Sequence, residues 1–388
     1  MIAFDAESGK VWFGQNGTWV NGSGTASTTL DLNNHDTTVA VGLRHHYHFG
    51  LSAENCNWVA NFGQDPTFVG TKSSSGNSDG GTGSFYYAPP SDFVALNTDN
   101  LMTPTIDPFE GEENPEDHFV TTLYTGTNST NEKDIGFAPD FLWFKHRNGG
   151  SDHALYDSIR GANGGIKSNS ADTENTNANS SQDLMSFDND GFTVGVGSQF
   201  GSVNSPGHTI AAWAWKGGGT AVTNNDGGIT SSVSANTKAG FSIVTYTGTT
   251  SSETVGHGLN SAPEMIWVKG RNVGHNWAVY HQSAQDITAN DFFELNSTAA
   301  GQTGSNPRFL NGTTGTSVPT STVFNVNNYS GSSTNNNGNT YVAYCFHSVE
   351  GYQKIGAYRG NQDANGPVIN CGFRPAFVLF KNIDTAEI

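Results

Sequence analysis

Apolar and polar positions along this chain change places in short runs, and the three-to-four-residue spacing of an amphipathic helix is nearly absent. The opening residues set the pattern: Phe4 and the run 11–13 are apolar, Gly9 lies between them, and Asn16-Gly17 follows. Asn-Gly is a strong hairpin signal, so this region reads strand, turn, strand, turn. Further apolar runs fall at 37–43, 56–63 and 85–97. The one stretch of helical composition, 284–296, is too short and too rich in β-formers to weigh against them. Closely spaced strands joined by Gly/Asn turns build two-layer cores, which predicts an all-β chain of β-sandwiches.

The pattern also repeats. "LYTGTNSTNEKDIGFAPDFLWFKHR" at 123–147 returns as "TYTGTTSSETVGHGLNSAPEMIWVKGR" at 245–271 and as "AYRGNQDANGPVINCGFRPAFVLFKN" at 357–382. The Tyr-x-Gly glycine moves from Gly126 to Gly248 to Gly360, steps of 122 and 112. The proline before the apolar run (Pro139, Pro263, Pro375) and the lysine closing it (Lys145, Lys269, Lys381) both move by 124 and 112. Such a period is too long for a solenoid unit and suits a small domain. The expected organisation is beads on a string: 1–101 a distinct domain, 102–118 an acidic Pro-rich linker, 119–219 repeat 1, 220–239 a Gly/Ser/Asn connector, 240–349 repeat 2, and 350–388 the start of a third. Repeats 1 and 2 each end on a closing strand, at 208–219 and 339–347. Repeat 3 stops before one, which would leave sheet edges unpaired and reads as a window on a longer chain.

Composition narrows the function. With 17 basic and 35 acidic residues the net charge is −18, which disfavours nucleic acid and anionic membranes. Eight Trp, 12 Tyr and 24 Phe in strand-like runs exclude disorder. Three cysteines make no disulfide framework. Cys345 and Cys371 fall at strand-like positions and are expected as buried free thiols, Cys345 as the counterpart of Trp215. No apolar run approaches the ~18 residues of a membrane helix, and no signal peptide is evident. An extracellular protein without either feature fits a virion component assembled in the cytosol and released by lysis.

Several residues invite chemical readings. Gly76-Asn77-Ser78-Asp79-Gly80 spells the serine-hydrolase pattern but lies in a Gly/Ser tract, without the strand–turn–helix that exposes a nucleophile. His45, His46 and His48, with His35 nearby, have no Cys or carboxylate at ligand spacing. Asp188 and Asp190 in "FDNDGF" are a fragment of a calcium loop; a hairpin turn with Gly191 at positive φ accounts for them better. Glu110, Glu112, Glu113, Glu116 and Asp117 sit in the linker, where no opposed pair of carboxylates is held. No catalytic residue, metal or cofactor is expected. The recurring lysines, with Arg147 and Arg271 two residues after the first two of them, read as strand-end charges set against a turn carboxylate. Trp277, Tyr280 and His281 align with His153, Tyr156 and Asp157; Tyr persists while its neighbours vary, which marks Trp277, His281 and His153 as candidate ligand-binding positions. The competing reading places Trp277 in the core. The loops 65–84, 161–182 and 299–320 differ most and are the expected ligand-facing surface.

A family resemblance follows from these elements. Phe4-Asp5, Lys10-Val11-Trp12-Phe13, Asn16-Gly17-Thr18-Trp19, Asn61-Phe62-Gly63-Gln64 and Ala95-Leu96-Asn97 resemble the second half of a SPRY domain of the type found in marine bacteriophage tail-fibre-like proteins. The later domains resemble those that follow it there, through Gly136-Phe137-Ala138-Pro139-Asp140, Trp143-Phe144-Lys145, Tyr156-Asp157-Ser158-Ile159-Arg160-Gly161, Phe187-Asp188, Asp190-Gly191-Phe192 and Trp213-Ala214-Trp215-Lys216. Repeat 2 departs from the pattern, with Tyr280-His281-Gln282-Ser283 replacing the Tyr-Asp-Ser-Ile-Arg-Gly run. The resemblance implies a structural or host-recognition component of a tail fibre. Its expected partners are other virion and tail proteins and a host-surface glycan or protein, in a homo-oligomer with a trimer favoured. A polysaccharide-degrading tailspike and a bacterial surface adhesin are the alternatives.

Overall fold

The computed structural model describes residues 2–4, 10–15, 18–20, 26–27, 35, 37–38, 62, 64–67, 70–73, 76–78, 83–91, 93–95, 106, 113–176, 183–196, 200, 202–283, 292–301, 308–309, 318–328 and 334–384. They are nearly all β, as the alternation predicts. The one helical element named here is a 3-10 turn, Pro115–Asp117. No helix among the described residues is long and apolar enough to cross a membrane. The chain divides into two compact units, Met1–Thr103 and Pro104–Ile388.

In the first unit, β1 (Ile2–Phe4), β2 (Lys10–Gln15), β3 (Thr18–Val20) and β4 (Ala26–Ser27) form an antiparallel sheet in sequence order, with β5 (Thr37–Thr38) also on β2. Gln15 faces Thr18, the two-residue separation that the hairpin reading requires. Trp12 and Trp19 are buried with Ala3, and Phe93 meets the Trp12 ring edge-on at 5.8 Å. A separate hairpin, β6 (Asn77–Ser78) with β7 (Ser84–Phe85), holds Ser78 of the hydrolase-like pattern.

The second unit runs β8 (Phe119–Thr125), β9 (Asn131–Asp134), β10 (Phe141–His146), β11 (Ala154–Asp157), β12 (Ile166–Lys167), β13 (Leu184–Phe187), β14 (Gly191–Val194) and β15 (Thr209–Trp215). It continues with β16 (Val222–Asn224), β17 (Ser231–Asn236), β18 (Phe241–Thr247), β19 (Glu253–Gly256), β20 (Met265–Gly270), β21 (Ala278–His281), β22 (Phe293–Glu294), β23 (Val323–Val326) and β24 (Thr340–Phe346). A five-stranded sheet has the order β12-β11-β10-β15-β8. A seven-stranded sheet has the order β22-β21-β20-β24-β18-β17-β16. The first five positions of the two orders correspond one to one. β9, β14 and β13 make a small sheet, and β19 with β23 a second.

Three apolar cores stack these sheets in four layers. Leu142 and Phe144 of β10 pack with Phe192 and Val194 of β14. The alternate residues, Phe141 and Trp143, face the other way and pack with Phe241, Trp267, Tyr344 and Phe346 of the seven-stranded sheet. Ile266 and Val268, on the far side of that sheet, pack with Phe324 and Val326 of β23. Period-two alternation sends successive side chains into different cores, so both middle sheets are buried on both faces. That is why 141–144 reads as an unbroken apolar run.

The structure corrects several expectations. The 119–219 and 240–349 segments are not separate beads, because they share the central core. The 220–239 connector is not a loop: β17 pairs with β18 along 231–236, and β16 adds an edge. Its Gly/Ser/Asn composition hid this, since backbone ladder bonds form whatever the side chains. In the 102–118 linker Ile106 is fully buried, and Glu113 pairs with His118 at 2.6 Å and with Lys238. The described part of repeat 3 contains no strand; 357–384 runs as an irregular strap, with Phe377 against Trp213 and Trp215. Cys345 faces Ile266 as Ala214 faces Leu142, so its counterpart is Ala214; Phe346 is the counterpart of Trp215. Burial raises the Cys345 thiol well above its ordinary value, and Cys371 is half-buried. Cys56 lies outside the described residues.

Candidate functional site

Polar chemistry in the second unit concentrates where the loop after β11 meets the seven-stranded sheet. Asp157 ends β11 and is fully buried. The chain then turns back on itself, with Gly161 at φ +78° donating its N–H to the Asp157 carbonyl. This turn points Arg160 inward. Its Nε donates to Asp157 Oδ2 at 2.6 Å, Nη1 to Glu174 Oε1 at 3.0 Å and to the Gly164 carbonyl, and Nη2 to the Tyr344 hydroxyl at 3.1 Å. Tyr344, on β24 of the other sheet, donates in turn to Asp157 Oδ2 at 2.7 Å. Arg271 Nε closes the set on Glu174 Oε2 at 2.8 Å. Two guanidinium groups thus balance two carboxylates. Burial opposes the Arg160 charge, but Asp157, Tyr344 and Glu174 outweigh it and hold the group above its ordinary value.

Further contacts run along the same seam. Lys269 is fully buried, and its ammonium donates to the carbonyls of Ala171, Gly270 and His275 at 3.0, 3.2 and 2.8 Å. Burial lowers its pKa to about 8. The other recurring lysines do likewise: Lys145 donates to the Ser151 carbonyl at 2.6 Å and Lys381 to the Ser297 carbonyl at 2.8 Å. The expected turn carboxylates are therefore replaced by turn carbonyls, which suit a partly desolvated ammonium without a second buried charge.

Of the three expected binding residues, Trp277 is fully buried between the sheets; its Nε1 donates to the Lys167 carbonyl at 2.9 Å and its ring stacks on Tyr344. The core reading holds for it, and no ligand can reach it in this state. His153 is half-buried, its Nδ1 accepts from Trp143 Nε1 at 2.8 Å, and burial pushes its pKa down to about 4, leaving the ring neutral. His281 ends β21, half-buried, with its Nδ1 accepting from the Ser283 N–H and its pKa lowered by burial. No hydrogen bond or ring contact among the described residues joins the three. The 161–182 loop, expected to face a ligand, instead supplies Gly164, Ala171 and Glu174 to the seam. Residues 45–48 and most of 299–320 lie outside the described residues. The residues that sequence reasoning missed are Asp157, Arg160, Glu174 and Tyr344; for Asp157 and Arg160 the signal is the Tyr-Asp-Ser-Ile-Arg-Gly run present in one repeat and absent from the other. Arg271 meets Glu174 as a strand-end charge against a turn carboxylate.

A polar concavity opens to solvent beside β9, β13 and β14. A cleft of about 700 Å³ is lined by Glu132, Asp134, Asp188 and Asp190 with Lys133 and Thr193. Thr193 donates to Asp188 at 2.7 Å. No group of three or more His, Cys, Asp or Glu in metal-holding geometry occurs among the described residues. Gly191 does not have the positive φ expected of it. It is required by a close approach, since a Cβ there would lie 1.8 Å from the Lys133 carbonyl oxygen.

The fold and its seam define a layered all-β protein whose buried ionic groups hold two sheets together. Residues 114–388 match the model of DUF7483, a domain of unknown function, and the chain belongs to that family. The match spans both sheets and the strap together. No curated protein and no solved structure matches the chain.

Proposed function

We propose that this chain is a structural and host-recognition component of a bacteriophage tail fibre, binding a surface glycan or protein without catalysis. The first unit is then the C-terminal part of a SPRY-like sandwich, a reading supported by the hairpin and the paired Trp12 and Trp19. Residues 119–219 and 240–349 are tandem repeats, supported by their matching strand orders. The observation that carries the functional reading is the seam itself. Arg160, Asp157, Glu174, Lys269 and Arg271 are engaged with one another or with backbone, in an arrangement suited to transmitting load between stacked sheets.

The test is incubation of the purified protein with a panel of bacterial capsular polysaccharides and lipopolysaccharides, scoring retention and new reducing ends. Saturable retention without new ends is the expected result. Reducing ends whose appearance depends on Asp188 or Asp190 would replace this reading with the tailspike. Failure to be retained by any glycan would remove the glycan receptor from the proposal.

A further inference from the structure

β8 ends the five-stranded sheet, and its pairing with β15 fixes which backbone groups that edge presents. At one end of the strand Lys216 N–H donates to the His118 carbonyl at 2.9 Å, and at the other Gly126 N–H donates to the His208 carbonyl at 2.8 Å. Antiparallel pairs alternate between bonded and unbonded residues, so the even-numbered residues from 118 to 126 bond to β15. Phe119, Thr121, Leu123 and Thr125 therefore turn their N–H and C=O groups outward. None of these groups meets a backbone partner among the described residues, and Thr121, Leu123 and Thr125 are exposed.

The counterpart strand in the other half shows what such an edge takes. β18 turns Phe241, Ile243 and Thr245 outward in the same way, and they face Asn236, Ser234 and Ser232 of β17. β17 comes from the segment just before β18. The segment just before β8 is used differently: Glu113 is held by His118 and Lys238, and Asn114 caps the 3-10 turn Pro115–Asp117. β8 also carries none of the devices that protect an edge, having no Pro, no charged residue and no bulge.

We propose that β8 pairs antiparallel with β8 of a second copy, joining two five-stranded sheets across a two-fold axis. Register selects this occupant, because the outward residues lie symmetrically about Thr122. With Thr122 on the axis, Phe119 faces the partner's Thr125 and Thr121 faces the partner's Leu123, so every outward N–H meets an outward C=O. Val120 then lies opposite the partner's Tyr124, and all the side chains brought together are aromatic, aliphatic or Thr, which suit cross-strand neighbours. Charge points the same way. Each copy carries −18, so two copies repel wherever acids meet, and β8 is uncharged. In this register Asp117 and Glu116 fall beside the partner's Thr127 and the partner's Asn128, where no acid opposes them. The contact is isologous and needs no matching surface elsewhere. It builds a dimer, where the family resemblance implies a trimer. It goes beyond the tail-fibre proposal and does not need it, since no glycan enters the measurement.

Sedimentation velocity on the full chain at a series of protein and NaCl concentrations tests the proposal. The wild type is expected to form a dimer that salt strengthens, because the contact holds no charge while the two copies repel. L123P removes an outward N–H that β15 does not use. It is expected to weaken dimerisation at least tenfold while circular dichroism keeps its β signal. T122C sets two thiols across the axis and is expected to give a covalent dimer on mild oxidation, absent from the wild type and from a T127C control. A wild type that stays monomeric throughout overturns the proposal and leaves the edge to another strand. So does a dimer that L123P leaves intact or that rising salt dissolves. If L123P fails to fold, the cross-link decides, and a T122C dimer no more abundant than that of T127C overturns the proposal.

Discussion

Replacing Arg160 with alanine separates a shared seam from a string of independent domains. In the structure the guanidinium is fully enclosed and meets Asp157, Glu174, the Gly164 carbonyl and the Tyr344 hydroxyl. Its removal leaves Asp157 buried with only the Arg160 backbone N–H and the Tyr344 hydroxyl, while Glu174 keeps Arg271. Breaking a buried pair in this way costs about 3–5 kcal/mol, because a charge stays buried without its counter-ion. For a unit of this size that corresponds to a melting-temperature loss of roughly 6–15 °C. Calorimetry or urea unfolding of the full chain reads it, following the transition of the second unit. A D157A/R160A cycle adds the coupling: the double variant is expected to cost less than the two singles together. If R160A costs under about 1 kcal/mol, as an exposed arginine would, the sheets are not docked in solution and the seam is refuted.

Three other outcomes follow from the same geometry. For Lys269 the folded-state pKa of about 8 lies below the ordinary lysine value of 10.5, so between those pH values the unfolded chain holds a proton that the folded one has released. Wild-type stability relative to K269M is therefore expected to rise with pH across that window, by up to about 3 kcal/mol; a flat difference curve would refute the depressed pKa. G191A is expected to force β9 from β14 and to destabilise by about 1–3 kcal/mol or more, read by urea unfolding; a neutral effect would show that the close approach relaxes. W277A is expected to cost about 3–5 kcal/mol while the folded fraction keeps its retention on any glycan bound by the wild type; lost retention at full folding would return Trp277 to the binding surface.

The strands of the second unit were largely legible because their landmarks recur: β10 and β20 carry the run that ends at Lys145 and Lys269, and both lie mid-sheet. Which way a strand faced was harder to read. Phe141 and Phe144 look alike in sequence, yet one meets the opposite large sheet and the other the small sheet of its own half. Variation between repeats marks solvent only where no neighbour docks. A docking face also varies, because each repeat meets a different neighbour, and variation alone therefore points Trp277 and the 161–182 loop outward although both lie at the seam. Asp157 and Tyr344 lie 187 residues apart, and local pattern carries no trace of such a partnership.

The direction of the lysine contacts has a consequence for inheritance. Besides its contacts with Gly270 and His275 in its own repeat, Lys269 reaches back to Ala171 in the repeat before, and Lys381 reaches back to Ser297. A gene exchange that imported one repeat alone would bring a buried ammonium to a foreign carbonyl at one junction and strip a carbonyl of its donor at the other. Neighbouring segments that carry both sides of a junction escape that mismatch. A chimera broken between Ala171 and Lys269 is therefore expected to melt lower than one whose breakpoint falls outside that interval, even where the reading frame and both folds survive.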